Sequence, residues 1–217
     1  MAGEERRLQI LRVAISLFSQ RGFRGTTTKE IAQAADVSEA MVFRHFATKE
    51  ELYTAILDHK ALVGGMEDPR QLLAPAIRRK DDRAVFEGLA NAMMRHHEKD
   101  TEFLRLLTRS ALEEHRLAEM FWDRSVRRMY EFLVTYIRER QRDGAMSEID
   151  PPIIVRVFAG MVIHHSLDNN LWGKTRSLLD ISNQRAAREF TDILLRGIKA
   201  PAPGRAASVK RRTTKAS

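Results

Sequence analysis

Cysteine is absent from this 217-residue chain, which excludes disulfides and cysteine-based metal sites. No apolar run approaches the roughly 18 residues that a membrane-spanning helix needs, and no signal-peptide core precedes the first charged residues. A soluble, cytoplasmic protein without membrane association is therefore expected. Alternating polar and apolar stretches of strand type are missing, as is any internal repeat, so the chain reads as all-α. Catalytic groupings are missing too. There is no glycine-rich phosphate loop and no Glu-x-x-His pair, and His97-Glu98 lacks a second histidine four residues after the first. No enzyme activity, metal or cofactor is expected.

The charge balance is uneven. Lys and Arg number 37 against 29 Asp and Glu, a formal net charge of +8. Residues 1–60 carry nine basic and eight acidic side chains. Residues 200–217 hold Arg205, Lys210, Arg211, Arg212 and Lys215 with no acid, and lack the apolar residues to bury a core. That tail is expected to be disordered, and it supplies most of the excess charge. Net charge is thus weak evidence for nucleic-acid binding, and the case rests on arrangement.

The informative stretch is TTKEIAQAADVSEAMVFRHFATK, residues 27–49. Thr27 caps a short helix, and Glu30 at the third helical position closes a capping box. Ile31, Ala34 and Ala35 give that helix a small apolar face. Asp36-Val37-Ser38 makes a tight turn, and Ser38 caps a second short helix through Met41, Val42 and Phe43 to about Phe46. Thr48 with Glu51 starts a longer helix in the same way. Helix, tight turn, helix is the pattern that places a second helix in a DNA major groove.

The same residues resemble the N-terminal domain of TetR-family (TetR/AcrR) transcriptional regulators: Thr27, Ile31-Ala32, Val37-Ser38, Phe43, His45-Phe46, Lys49-Glu50 and Leu52, preceded by Ala14, Leu17-Phe18, Gly22-Phe23 and Gly25. The likeness covers about the first sixty residues. Two positions depart from it. Asp36 stands where the family usually has glycine, and Asp tolerates a left-handed backbone better than most residues. Phe43 stands where the family usually has tyrosine, which removes a hydroxyl able to reach a phosphate.

The resemblance implies a division into a three-helix DNA-binding domain (4–64, motif about 27–46), a helical bundle for ligand binding and dimerisation (65–199), and the tail (200–217). It puts Thr27, Phe43, His45 and Lys49 toward the DNA backbone, with Thr28 and Lys29 beside them in the first turn. Ser38, Glu39, Ala40, Met41 and Arg44 would face the groove. Glu39 can accept from a cytosine amino group and Met41 can meet a thymine methyl. A homodimer built on the last two long helices follows from the resemblance, with Ile154, Phe158, Met161, His165, Phe190 and Leu194 at its interface. Pairing two heads suits a pseudo-palindromic double-stranded operator, since one head buries little surface. A repressor released by a small, largely apolar effector is the expected form.

Helical spacing also predicts helices over about 5–20, 48–63, 83–98 and 103–111. A long one is expected over 117–142, ended by Gly144. Asp150-Pro151 marks a cap and first turn for a helix to about Leu171, in which Gly160 admits a close neighbour, and a last helix runs over 181–199. Residues 66–82, with two prolines and mixed charge, read as the boundary. Candidate ligand-lining residues are Met93, Phe103, Leu104, Leu107, Phe121, Trp122, Met129 and Tyr130, with His164 or Asn169 as polar handles. Two other readings remain open: a protein that coats DNA through its basic tail, and an all-helical binding protein or enzyme without operator specificity.

Overall fold

The computed structural model describes residues 3–63, 69–114, 116–172 and 180–200. The glycine pair Gly64-Gly65, which follows the helix expected over 48–63 and would end it, and tail residues 201–217 lie outside them. Among the described residues the chain is helical throughout: α1 (Gly3–Arg21), α2 (Thr28–Ala34), α3 (Glu39–His45), α4 (Lys49–Val63), α5 (Pro69–Leu72), α6 (Ala74–Arg78), α7 (Asp82–Lys99), α8 (Thr101–Leu112), α9 (Arg116–Phe121), α10 (Arg127–Arg142), α11 (Pro151–Leu167) and α12 (Asn183–Ile198). The expected helix over 117–142 is interrupted by a π-helical turn at Trp122–Val126, and a second π-helical turn, Asp168–Trp172, extends α11. Such wide turns insert one residue per turn and rotate the side chains that follow. The expected boundary segment contains two short helices, α5 and α6.

The head forms around α1. Ile10, Leu11, Ala14, Ile15 and Phe18 recur at helical spacing and are buried against Ile31, Ala32, Val42, Phe46, Leu52, Tyr53 and Ile56. Ala32 rather than the exposed Ala34 completes the inner face of α2. Glu4 and Glu5 lie in the first turn of α1 and Arg21 in its last, favourable to the helix dipole at both ends. Gly22 ends α1 in the left-handed region, φ 75°.

The second cluster lies between α7, α10, α11 and α12. Phe86, Leu89, Met94, Leu133, Ile137, Phe158, Val162 and Leu194 are buried there, and Phe86 meets Phe158 edge-on at 5.3 Å between ring centres. Asp82 at the start of α7 accepts from Tyr136 Oη at 2.6 Å and from Arg140 Nε at 2.7 Å, which joins the first turn of α7 to α10. Gly144, at φ 72°, ends α10 as its position implies. Asp150 occupies the cap of α11, but no side-chain bond from it caps the helix; Pro151 simply needs no amide partner there. Gly160 admits no close neighbour within the chain, because a side chain added there would meet nothing within 4 Å.

The two clusters are joined by α8 and α9. Phe103, Leu106 and Leu117 point into the core of the head, not the bundle. Three polar contacts reinforce that seam: Ser16 Oγ to Glu102 at 3.2 Å, the Lys60–Asp100 ion pair at 2.5 Å, and the amide of Phe23 donating to Glu113 at 3.0 Å.

Candidate functional site

In the turn motif the local chemistry read from the sequence is present. Thr27 Oγ1 accepts from the Glu30 amide at 3.2 Å while Glu30 accepts from the Thr27 amide at 2.8 Å, closing the capping box. Those bonds hold the Glu30 carboxyl below its ordinary pKa. Asp36 takes φ 51°, the left-handed conformation expected where glycine would otherwise stand. Ser38 accepts from the Met41 amide at 3.2 Å. At α4, Thr48 caps through the Glu51 amide at 3.0 Å, but the Glu51 carboxylate reaches one residue further back, to the amide of Ala47 at 2.8 Å.

The side chains proposed for DNA separate into two groups. Thr27, Lys29, Ser38, Ala40, Phe43 and Arg44 are exposed, with Phe43 46% accessible although aromatic. Met41 and Thr28 are half-buried at the edge of the same surface. Glu39 is already engaged, accepting from Thr28 Oγ1 at 2.6 Å, so it ties α3 to α2. Thr27 Oγ1 donates to Glu30 at 2.8 Å, so its hydroxyl is likewise committed.

Lys49 departs further from the expected backbone-facing role. Its ammonium donates to the Phe23 carbonyl at 2.5 Å and lies 4.2 Å from the centre of the Phe23 ring. Burial pulls its pKa below the usual lysine value. Lys49 therefore staples α4 to the turn after α1, because an aromatic face and a carbonyl lie within reach of its stem. His45 is turned partly inward, and its Nε2 is buried without a hydrogen-bond partner among the described residues.

A cavity of about 450 Å³ opens between α4, α7, α8, α10 and α11. That size falls in the range that encloses a drug-sized molecule. Of the expected lining residues, Met93, Phe103, Phe121, Trp122, Met129 and Tyr130 are there. The π-helical turn supplies Trp122 and Val126, and Trp122 meets Tyr130 at 6.0 Å. Four expected residues lie elsewhere. Leu104 is buried away from the cavity, and Leu107 packs on the head. His164 is an exposed partner of Asp168 at 2.9 Å. Asn169 is used in closing the end of α11, donating to the Ile181 carbonyl at 3.2 Å.

The cavity's polar groups were not anticipated. They are His96, His97 and Asp100 on α7 and the residue after it, Lys60 and Asp58 on α4, and Arg156 on α11. A signal was available: Met93, His96, His97 and Asp100 stand at i, i+3, i+4 and i+7, one face of a helix. Burial, then the neighbouring His96, pulls the His97 pKa down to about 4.

Four of the expected dimer residues, Ile154, Phe158, His165 and Leu194, need correction. Ile154, Phe158 and Leu194 are buried in the chain's own core at 2%, 0% and 4% accessibility. His165 is buried as well, with Nε2 3.1 Å from Asn183 Oδ1. Met161 and Phe190 are half-buried against the same cluster. The apolar side chains that α11 and α12 leave exposed are Ile153, Val157, Ile163 and Ile193. The period of α11 was legible, but a helix apolar on several sides does not announce which side faces inward.

Residues 10–56 match the family model described as bacterial regulatory proteins, tetR family. The HTH-type regulator YvkB of Bacillus subtilis is 51% identical over 49 residues, 23% of this chain and 26% of that protein. The HTH-type transcriptional repressor KstR2 of Rhodococcus jostii is 34% identical over 88 residues, 39% of each chain. These matches thus span about a quarter to two fifths of the relatives' length. Among solved structures, AibR in complex with isovaleryl coenzyme A and operator DNA superposes with a TM-score of 0.65, covering 88% of this chain and 98% of AibR at 21% identity. At that identity the likeness is one of fold.

Proposed function

We propose that this chain, which belongs to the TetR family by its N-terminal domain, is a sequence-specific, DNA-binding transcriptional regulator, a homodimer that a small effector releases from a pseudo-palindromic operator. In this reading residues 4–64 are the reader and 65–199 the sensor and dimerisation part. The observation that carries it is a shared wall. Leu57 and Phe103 belong to the buried core of the head and also line the cavity, and Phe121 touches both. An occupant of the cavity therefore presses on the packing that sets the direction of α3. A dimer must hold its two reading helices about 34–36 Å apart to enter successive major grooves. A molecule that binds a splayed arrangement better than this one shifts the population away from DNA, by at most its difference in affinity, typically about 1–3 kcal/mol.

Support for the reader comes from the exposed Ser38, Ala40, Phe43 and Arg44 on one side of α3. AibR, the structural neighbour, was solved with operator DNA and an acyl coenzyme A. Dimerisation is assigned to α11 and α12 through Ile153, Val157 and Ile193, next to the residues first expected.

Selection of binding sites from random DNA by the purified protein tests the proposal directly, and a palindromic consensus is expected. Arg44→Ala is expected to weaken binding to that consensus by about 1–3 kcal/mol and to relax preference at one or two positions. A uniform loss on every sequence would instead make Arg44 a backbone contact, and recovery of no consensus overturns the regulator reading. Deletion of residues 201–217 separates this reading from DNA coating. Operator preference should survive while the salt dependence of binding becomes shallower. Loss of all binding would make the tail the DNA-binding element.

A further inference from the structure

We infer that the cavity accepts a neutral molecule with a mainly apolar body and one hydroxyl, and that this hydroxyl donates to Nε2 of His97. The inference rests on the reading of the cavity as an effector site and gives that effector a chemistry.

The assignment begins with a serine. Ser166 Oγ on α11 donates to the Val162 carbonyl one turn earlier at 2.9 Å. A hydroxyl has a single proton, so at its 2.9 Å contact with His97 Nδ1 the serine oxygen accepts. The imidazole then carries its proton on Nδ1, and Nε2 is left as a bare acceptor on a residue that lines the cavity. Burial keeps the ring neutral at ordinary pH, as its lowered pKa states. His97 thus offers an incoming molecule a lone pair and no positive charge.

The other charged groups favour the same class of occupant. Lys60 and Asp100 neutralise each other at 2.5 Å. Asp58 and Arg156, also at the cavity, are exposed and opposite in sign. A carboxylate entering beside His97 would set its own lone pairs against Nε2 while losing water, an uncompensated cost. An ammonium could donate to Nε2, but its charge would be desolvated among Met93, Phe103, Met129 and Tyr130 with Asp100 already paired. A hydroxyl satisfies Nε2 at the least desolvation cost.

The test uses four probes of one chain length on the full-length protein, followed through Trp122 emission and checked by calorimetry: 1-decanol, 1-methoxydecane, decanoate and decylammonium. 1-Decanol should bind about tenfold more tightly than its methyl ether, which keeps the oxygen but cannot donate. Both ions should bind less tightly than the alcohol. In His97→Phe the advantage of alcohol over ether should vanish, and in Ser166→Ala, where the tautomer is no longer fixed, it should shrink. Equal binding of alcohol and ether by the unaltered protein overturns the proposal, as does tighter binding of either ion or a preference that persists in His97→Phe. If none of the four binds, the cavity is not an effector site and both readings fall. If all bind without preference, only the hydroxyl assignment falls.

Discussion

Gly22→Ala is expected to destabilise the protein by roughly 2–5 kcal/mol, seen as a lower denaturant midpoint with an unchanged slope. Two effects add. At φ 75° an alanine takes the left-handed backbone at a cost of about 1–2 kcal/mol. Its Cβ would also stand 1.8 Å from a Glu113 carboxylate oxygen. Glu113 is a side chain and can swing away, but the Phe23 amide then loses its acceptor, which costs about 1–3 kcal/mol where the group stays buried. Pairing Gly22→Ala with Glu113→Ala separates these. Glu113→Ala alone already deprives the Phe23 amide of its acceptor, so adding Gly22→Ala to it should cost only the backbone part. A loss below about 0.5 kcal/mol in the single variant would mean that the turn after α1 is free to rearrange. Since that turn also receives the Lys49 ammonium, Lys49→Ala tests the same junction rather than a phosphate contact.

Acid should destabilise the fold through His97 by up to about 3 kcal/mol between pH 6.5 and pH 4. The ordinary histidine value is 6.5 and the folded value about 4. Between these values the unfolded chain takes up a proton that the folded chain refuses, so stability falls as pH falls. Above pH 6.5 both states are neutral and the effect is absent. Below pH 4 it has reached its full extent. His96 is shifted in the same direction, by burial first, and adds to the slope. Denaturant unfolding at pH 7 and pH 4.5, compared between the natural protein and His97→Asn, isolates the His97 share. A pH slope unchanged by the substitution would show that His97 is solvated in the folded state.

The parts of the motif that were legible in the sequence are the short-range ones. Thr27 with Glu30, Ser38 with Met41 and the left-handed Asp36 are each settled by residues within three or four positions, where local hydrogen bonding leaves few choices. Lys49 illustrates the limit. Its spacing put it at a helix start beside the motif, but its direction depends on Phe23, 26 residues earlier. Glu39 was equally open until Thr28 appeared opposite it. In the cavity, the aromatic and methionine residues followed from helical spacing, whereas His97 and Asp100 required knowing that α4 and α11 close over that face of α7. The expected interface residues Ile154 and Phe158 are buried in the chain's own core while their neighbours Ile153 and Val157 are exposed, because apolar residues on several sides of one helix leave its rotation undetermined.

Phe103 carries a consequence for how a regulator of the kind proposed above can evolve. Any substitution there that reshapes the room for a small molecule also alters the packing under the DNA reader. Under the proposed function, a change of effector specificity through this position is coupled to DNA affinity, whereas Trp122 and Met129, which line the cavity outside the head's core, can change without that coupling.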